Sequence, residues 1–131
     1  MINLIYTLDG AATVIERDLL MTDGESGSFG QAVSVSEGRL TKAGPTDAPF
    51  AILIADTEGG TNVSTEYVPV REDQIFEIDV VGEADINTLV GKQAALDSSG
   101  MNIDADALEP GKALVLRVDP IKNKATVRFV V

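Results

Sequence analysis

The side chains of this sequence that could do chemistry stand in a few small groups. Glu77 and Asp79, two apart in "QIFEIDVV", share one face if that stretch is a strand, so one carboxyl group could donate a proton and the other accept one. The opposite face of the stretch is apolar, and the pair reads as a solvated surface rather than a catalytic one. Asn102, Asp104 and Asp106 alternate in "NIDADALEPGKA" as the first oxygen ligands of a calcium loop do. Ala107, however, stands where the sharp turn needs glycine, and Ala113 where the bidentate glutamate belongs. Gly24, Gly27 and Gly30 fall three apart in "TDGESGSFG", which is not the dinucleotide-binding spacing, and no strand-to-helix transition follows. That stretch reads as a mobile surface loop. Gly91-Lys92 and Gly111-Lys112 lack the upstream glycine and the following Ser or Thr of a phosphate-binding loop and read as turns.

What is missing narrows the chemistry further. The chain contains neither histidine nor cysteine, which removes the commonest general base, the commonest transition-metal ligand, thiolate zinc sites, disulfides and every imidazole-based triad. Lys42, Lys92, Lys112, Lys122 and Lys124 sit in or beside turns open to water, and none is suggested as a nucleophile. No catalytic, cofactor-binding or metal-binding residue is expected, and the protein does not read as an enzyme.

With 10 Lys and Arg against 21 Asp and Glu, the formal charge is −11, a field that repels nucleic-acid phosphates and anionic lipid headgroups. Neither nucleic acid nor membrane is expected as a partner. A length of 131 residues, 44% hydrophobic and 24% charged, suits one globular domain spanning 1–131. No stretch is apolar enough to span a bilayer, and "MINLIYTLDG" lacks the basic start and cleavage site of a secretory signal, so use inside a cell is expected. Asn62 in "NVS" is then only formally a glycosylation acceptor.

The elements that must position these residues are strands. Phe76, Ile78 and Val80 alternate with Glu77 and Asp79, and Ala125, Val127, Phe129 and Val131 with Lys124, Thr126 and Arg128. A period of two predicts half-buried strands of an antiparallel sheet. "AILIA" and "ALVLRV" are continuous apolar runs whose length favours central strands buried on both faces. Twelve glycines and five prolines punctuate the chain with the cadence of a small β-sandwich or barrel. Helix is confined to "EADINTLV", where Ile86, Leu89 and Val90 recur at helical spacing, with one possible turn in "DADAL".

The same order occurs twice. Gly38 and Ala51, like Gly100 and Ala113, are 13 positions apart, each glycine in a polar hairpin and each alanine opening an apolar strand. Upstream, Gly30 and Gly91 each start a half-apolar strand; downstream, Asp56 and Asp119 each end the apolar run before a turn and a last strand. These correspondences predict two related β units of about 60 residues around a shared core, too few for a solenoid.

One further stretch asks for a partner surface. "INLIYTL" carries Ile2, Leu4, Ile5, Tyr6 and Leu8 where chain ends are usually polar. It is either an edge strand packed on its own domain or an arm over residues 1–8 that adds to a neighbouring subunit.

In the residues Gly30, Val33, Val35, Gly38, Leu40, Lys42, Ala43, Pro49, Ile52, Ile54, Ala55, Asp56, Gly60 and Val63, the chain resembles the head decoration, or cement, proteins of tailed bacteriophages. The second half, from "VGKQAALD" to "KATVRF", is similar to the closing portion of such proteins and of related capsid-fibre subunits. The resemblance implies a small all-β virion protein, made in the host cytoplasm, that binds the outer capsid surface and stabilises the expanded shell by bridging major capsid subunits. It also implies self-association as a homotrimer. No long N-terminal fibre or immunoglobulin-like extension is present in the sequence, so an adhesive role is not expected. Ile2, Leu4, Ile5 and Tyr6, with Phe29 second, are the expected contact residues. The alternative is a carbohydrate- or ligand-binding β-sandwich module of a larger virion or enzyme assembly, against which stand the absence of tryptophan and the presence of only two tyrosines. A carboxylate-dependent hydrolase is the remaining enzyme class, and no convergent acid pair supports it.

Overall fold

A computed structural model describes residues 1–8, 14–108 and 111–130. In chain order the elements are β1 (Ile2–Thr7), β2 (Ala32–Ser36), β3 (Arg39–Lys42), β4 (Ala51–Leu53), β5 (Tyr67–Pro69), β6 (Gln74–Val81), α1 (Ile86–Leu89), β7 (Gln93–Ala94), β8 (Asn102–Asp104), β9 (Ala113–Asp119) and β10 (Lys124–Phe129). Among the described residues the protein is all-β with one short helix. Alternation builds β6 and β10 as the sequence predicts: Phe76, Ile78, Val80, Ala125, Val127 and Phe129 are buried and the intervening side chains partly exposed. Asp85 starts α1 by accepting a hydrogen bond from the Asn87 amide, and Asp119 shapes the β9–β10 turn by accepting from the amides of Ile121 and Lys122. Val131 and the pair Glu109–Pro110 lie outside the described residues.

The strands form a six-stranded sheet, β1-β6-β10-β9-β7 with β8 also on β6, and a four-stranded sheet, β3-β2-β4-β5. Each sheet curls and closes on itself. In the N-terminal unit, residues 14–21 bridge β5 at Glu16–Tyr67, then Ser64 at Leu20, and finally lie parallel to β3 at Met21–Leu40. In the C-terminal unit, β6 takes the corresponding place, antiparallel to β10 and parallel to β8, and a Leu96–Ile103 bridge joins β8 to the chain following β7. Two rings of strands result, with the same strand order.

The registers match as well as the order. Ala51 pairs with Pro69 and Leu53 with Tyr67 in one ring; Ala113 pairs with Phe129 and Val115 with Val127 in the other. The amide of Gly30 donates to Leu53 O at 2.8 Å, and that of Gly91 to Val115 O at 2.8 Å. Val70 N donates to Phe50 O at 2.9 Å, and Val130 N to Lys112 O at 2.8 Å. Both glycines also have positive φ, +81° and +85°. The two β units expected from the spacing of Gly38–Ala51 and Gly100–Ala113 are thus the two rings.

Met21, Val33, Leu40, Ala51, Leu53 and Tyr67 fill the N-terminal ring. The larger core contains Phe76, Ile78, Leu96, Ile103, Val115, Val127 and Phe129 of the C-terminal ring, together with Ile2, Ala32, Ala43 and Ile52 from the first half of the chain. Ala32 and Ile52 face this core while their neighbours Val33, Ala51 and Leu53 face the other, so β2 and β4 serve both. That double duty makes β4 buried along its whole length, as "AILIA" predicts. "ALVLRV" departs from its expectation of two buried faces: β9 is central, but Leu116 and Arg117 are exposed. The register between β9 and β10 shifts there, from Arg117–Thr126 to Val115–Val127, and Leu116 falls in the resulting bulge.

Candidate binding surface

β1 runs antiparallel to β6, with Ile2 opposite Ile78, Leu4 opposite Phe76 and Tyr6 opposite Ile75, and the register slips at Ile5. Its ends are tied down by Ile2 N to Gly30 O at 2.9 Å and Leu8 N to Asp73 O at 2.7 Å. Of the two readings of "INLIYTL", the structure has the edge strand packed on its own domain. Ile2 is only 2% exposed and belongs to the core, so it has no surface to offer a partner, a correction to its expected contact role. The alternation of β1 points Ile2 inward together with the half-buried Leu4.

Beside β1 lies an apolar cleft of about 200 Å³ lined by Ile2, Leu4, Phe29, Ile54, Val68 and Phe76, among others. Phe29 is 43% exposed. Its amide donates to Asp56 Oδ1 at 2.7 Å, and the left-handed turn at Gly30 carries the chain from Phe29 into β2. A side chain at Gly30 would collide with Met1 Cγ, so this turn and the start of β1 fit one another closely. Of the expected contact residues, Leu4 and Phe29 therefore share one cleft, with Ile2 buried behind it. Ile5 and Tyr6 do not line it and present exposed side chains elsewhere on β1.

The groups with chemical potential have structural partners. Lys124 Nζ lies 3.5 Å from both Glu77 and Asp79, and the amino group of Met1 is 2.8 Å from Asp79. The hydrogen bond from that amino group, helped by Lys124 and opposed by partial burial, holds the Asp79 carboxyl below its usual range, while Asp79 raises Lys124. A carboxyl group so firmly ionised is a poor proton donor at neutral pH. Asn102 Nδ2 donates to Asp97 at 2.9 Å, and Asp104 Oδ1 accepts from the Asp106 amide at 2.9 Å, so these side chains serve the fold of their own hairpin. Among the described residues no three acidic side chains converge as metal ligands. "TDGESGSFG" is stitched down, contrary to its reading as a mobile loop. Gly27 is buried, with its amide donating to the backbone and hydroxyl oxygens of Thr57 at 3.0 Å each, and Glu25 accepts from the Thr41 hydroxyl at 2.8 Å. Of its glycines, Gly27 is packed closely against Leu53 and Met21, while Gly24 has open space around it.

Ile121, 96% exposed at the tip of the β9–β10 hairpin, and the exposed Val14 and Ile15 are surface residues that sequence reasoning misses. For Ile121 a signal is present: an isoleucine inside a turn written "DPIKNK" has no strand face to join.

Fold and surface together define an internally duplicated all-β protein with an apolar cleft beside its edge strand. No protein-family model and no curated protein sequence matches the chain.

Proposed function

We propose that this is a binding protein that decorates the outside of a tailed-bacteriophage capsid, bridging neighbouring major capsid subunits and self-associating as a trimer on the lattice. The observation that carries the reading is the cleft at Leu4, Phe29, Ile54 and Val68, an exposed apolar site on an otherwise strongly acidic protein. The resemblance of Gly30 to Val63 to decoration proteins supplies the identity of the lattice. The mechanism needs no chemical step: a ligand that binds only the expanded shell stabilises that shell by mass action, and weak contacts repeated over a lattice reinforce one another.

Co-sedimentation with empty expanded capsids tests the reading. Binding that saturates at a fixed number of copies per lattice position, and weakens about tenfold or more with Phe29→Ala, is the expected result. Failure to bind any assembled capsid, together with retention on immobilised glycans, would replace it with the sugar-binding module.

A further inference from the structure

The two rings differ at one edge. In the C-terminal ring, Ile78 pairs with Ala125 on one side and with Ile2 on the other, and Asp79 pairs with Lys124 on one side and Asn102 on the other. β1 and β8 therefore lie end to end along the same edge of β6. In the N-terminal ring, the segment that corresponds to β6 has β5 on one side, through the paired hydrogen bonds between Glu16 and Tyr67 at 2.9 and 3.0 Å. β3 occupies its other side at Met21, as β8 does for β6. The place that β1 would fill, beside Ile15 to Arg17, carries no strand among the described residues.

We propose that this edge is a strand-addition site for one extended segment of a partner protein, in which apolar and basic residues alternate. Because Glu16 directs its amide and carbonyl toward Tyr67, strand alternation turns those of Ile15 and Arg17 the other way, and no backbone hydrogen bond from the described residues reaches them. In the occupied ring the matching odd-numbered positions face β1, as the bond from Leu8 N to Asp73 O shows. β1 is thus an internal template for the occupant: an extended strand with apolar side chains two apart. Val14 and Ile15 are exposed, and Val14 and Glu16 border a cleft of about 200 Å³ with Pro69, Arg71 and Gln74 that can receive such a side chain. A second copy of this chain is not the guest, because its β1 is already held along β6. Around the open edge Glu16 and Asp18 carry negative charge, while Arg17 is engaged with Glu66 at 2.8 Å, which favours Lys or Arg between the apolar residues of the guest. The site does not depend on the identity of the lattice.

A peptide of sequence KIKLKYK, the apolar residues of β1 set two apart with lysines between them, probes the edge of the intact protein. Expected are slowed exchange of the Ile15 and Arg17 amides, unchanged exchange at Ile75 and Glu77, and weaker binding as salt rises. Ile15→Pro, which deletes a donor of the edge, should weaken the peptide about tenfold or more while the Met21 and Tyr67 amides stay protected. Unchanged exchange at Ile15 and Arg17, or perturbation at Ile75 and Glu77 from displacement of β1, would overturn the proposal. The wild-type exchange measurement decides the matter even if the proline variant disturbs the ring. Capsid sedimentation is a separate readout, so either proposal can fail alone.

Discussion

The two rings share strand order, register and even the left-handed glycine that opens β2 and leads into β7, yet they are filled and closed differently. The N-terminal ring is packed by a handful of side chains around Leu53 and Tyr67, and its first wall, residues 14–21, is held by single bridges. The C-terminal ring has a full strand, β6, in that place, flanked by β1 and β10, with the Phe76 and Phe129 rings in tilted contact at a centroid distance of 5.4 Å. A register can thus be kept while the interior residues change. Tyr67 stands where the other ring has Val127, and Leu53 where it has Val115. What distinguishes the rings is the extra edge strand, and with it how firmly the first wall is held.

The largest effect should come from the richer core. Phe76→Ala is expected to cost about 3–5 kcal/mol, and Leu53→Ala in the smaller core about 2–4 kcal/mol, measured by chemical denaturation. Because Ala32, Ala43 and Ile52 of the first half pack into the larger core, both variants should unfold in one transition seen equally by circular dichroism and tyrosine fluorescence. Two separate transitions would show the rings to be independent domains.

The equivalent glycines sharpen the comparison. Gly30→Ala forces both a strained φ and a collision with Met1, whereas Gly91→Ala has the same φ but nothing within 4 Å of the new Cβ. The expected losses are about 3 kcal/mol and about 1 kcal/mol respectively. Equal losses would mean that β1 yields freely at the first position.

A third test lies in the second hairpin. Burial pushes the Asp97 carboxyl up, but hydrogen bonds from Ser99 and Asn102 outweigh it and leave the group below its usual range. A carboxylate with a depressed native pKa adds stability that is fully present above the unfolded pKa of about 3.9 and disappears as pH falls through the lower native value. Asp97→Asn should therefore cost about 1–2 kcal/mol at pH 7, a difference that shrinks below about pH 4. A difference that stays constant into strong acid would remove the carboxylate from the account. The smallest effect is expected at the β9–β10 tip, where Ile121→Ser should change stability by less than about 0.5 kcal/mol.

Much of this fold is legible in the amino-acid sequence. Period-two alternation places β6 and β10, the apolar run of "AILIA" places β4, and the repeated spacing from Gly38 to Ala51 and from Gly100 to Ala113 discloses the two units. Residues 14–21 are not legible, because a wall held by isolated bridges imposes no sustained alternation on its side chains. Gly27 misleads for a related reason: a glycine buried against Leu53 looks in sequence like one in an open loop. In the candidate site Leu4 and Phe29 are recognisable, while Ile2 proves to be core, since an apolar residue near a chain end has the same appearance whether it faces a partner or its own sheet.

By itself the sequence determined which stretches become strands, which faces of them are apolar and where the chain turns, because these follow from alternation and from φ preferences over a few neighbouring residues. Only the tertiary structure decided that each unit closes through a parallel contact, Met21 with Leu40 and β6 with β8, and that β1 lies along one ring while the matching edge of the other carries no strand among the described residues. Those choices depend on which distant apolar faces meet and which backbone edges remain to be paired, and such information is spread over the whole chain rather than carried in any one segment.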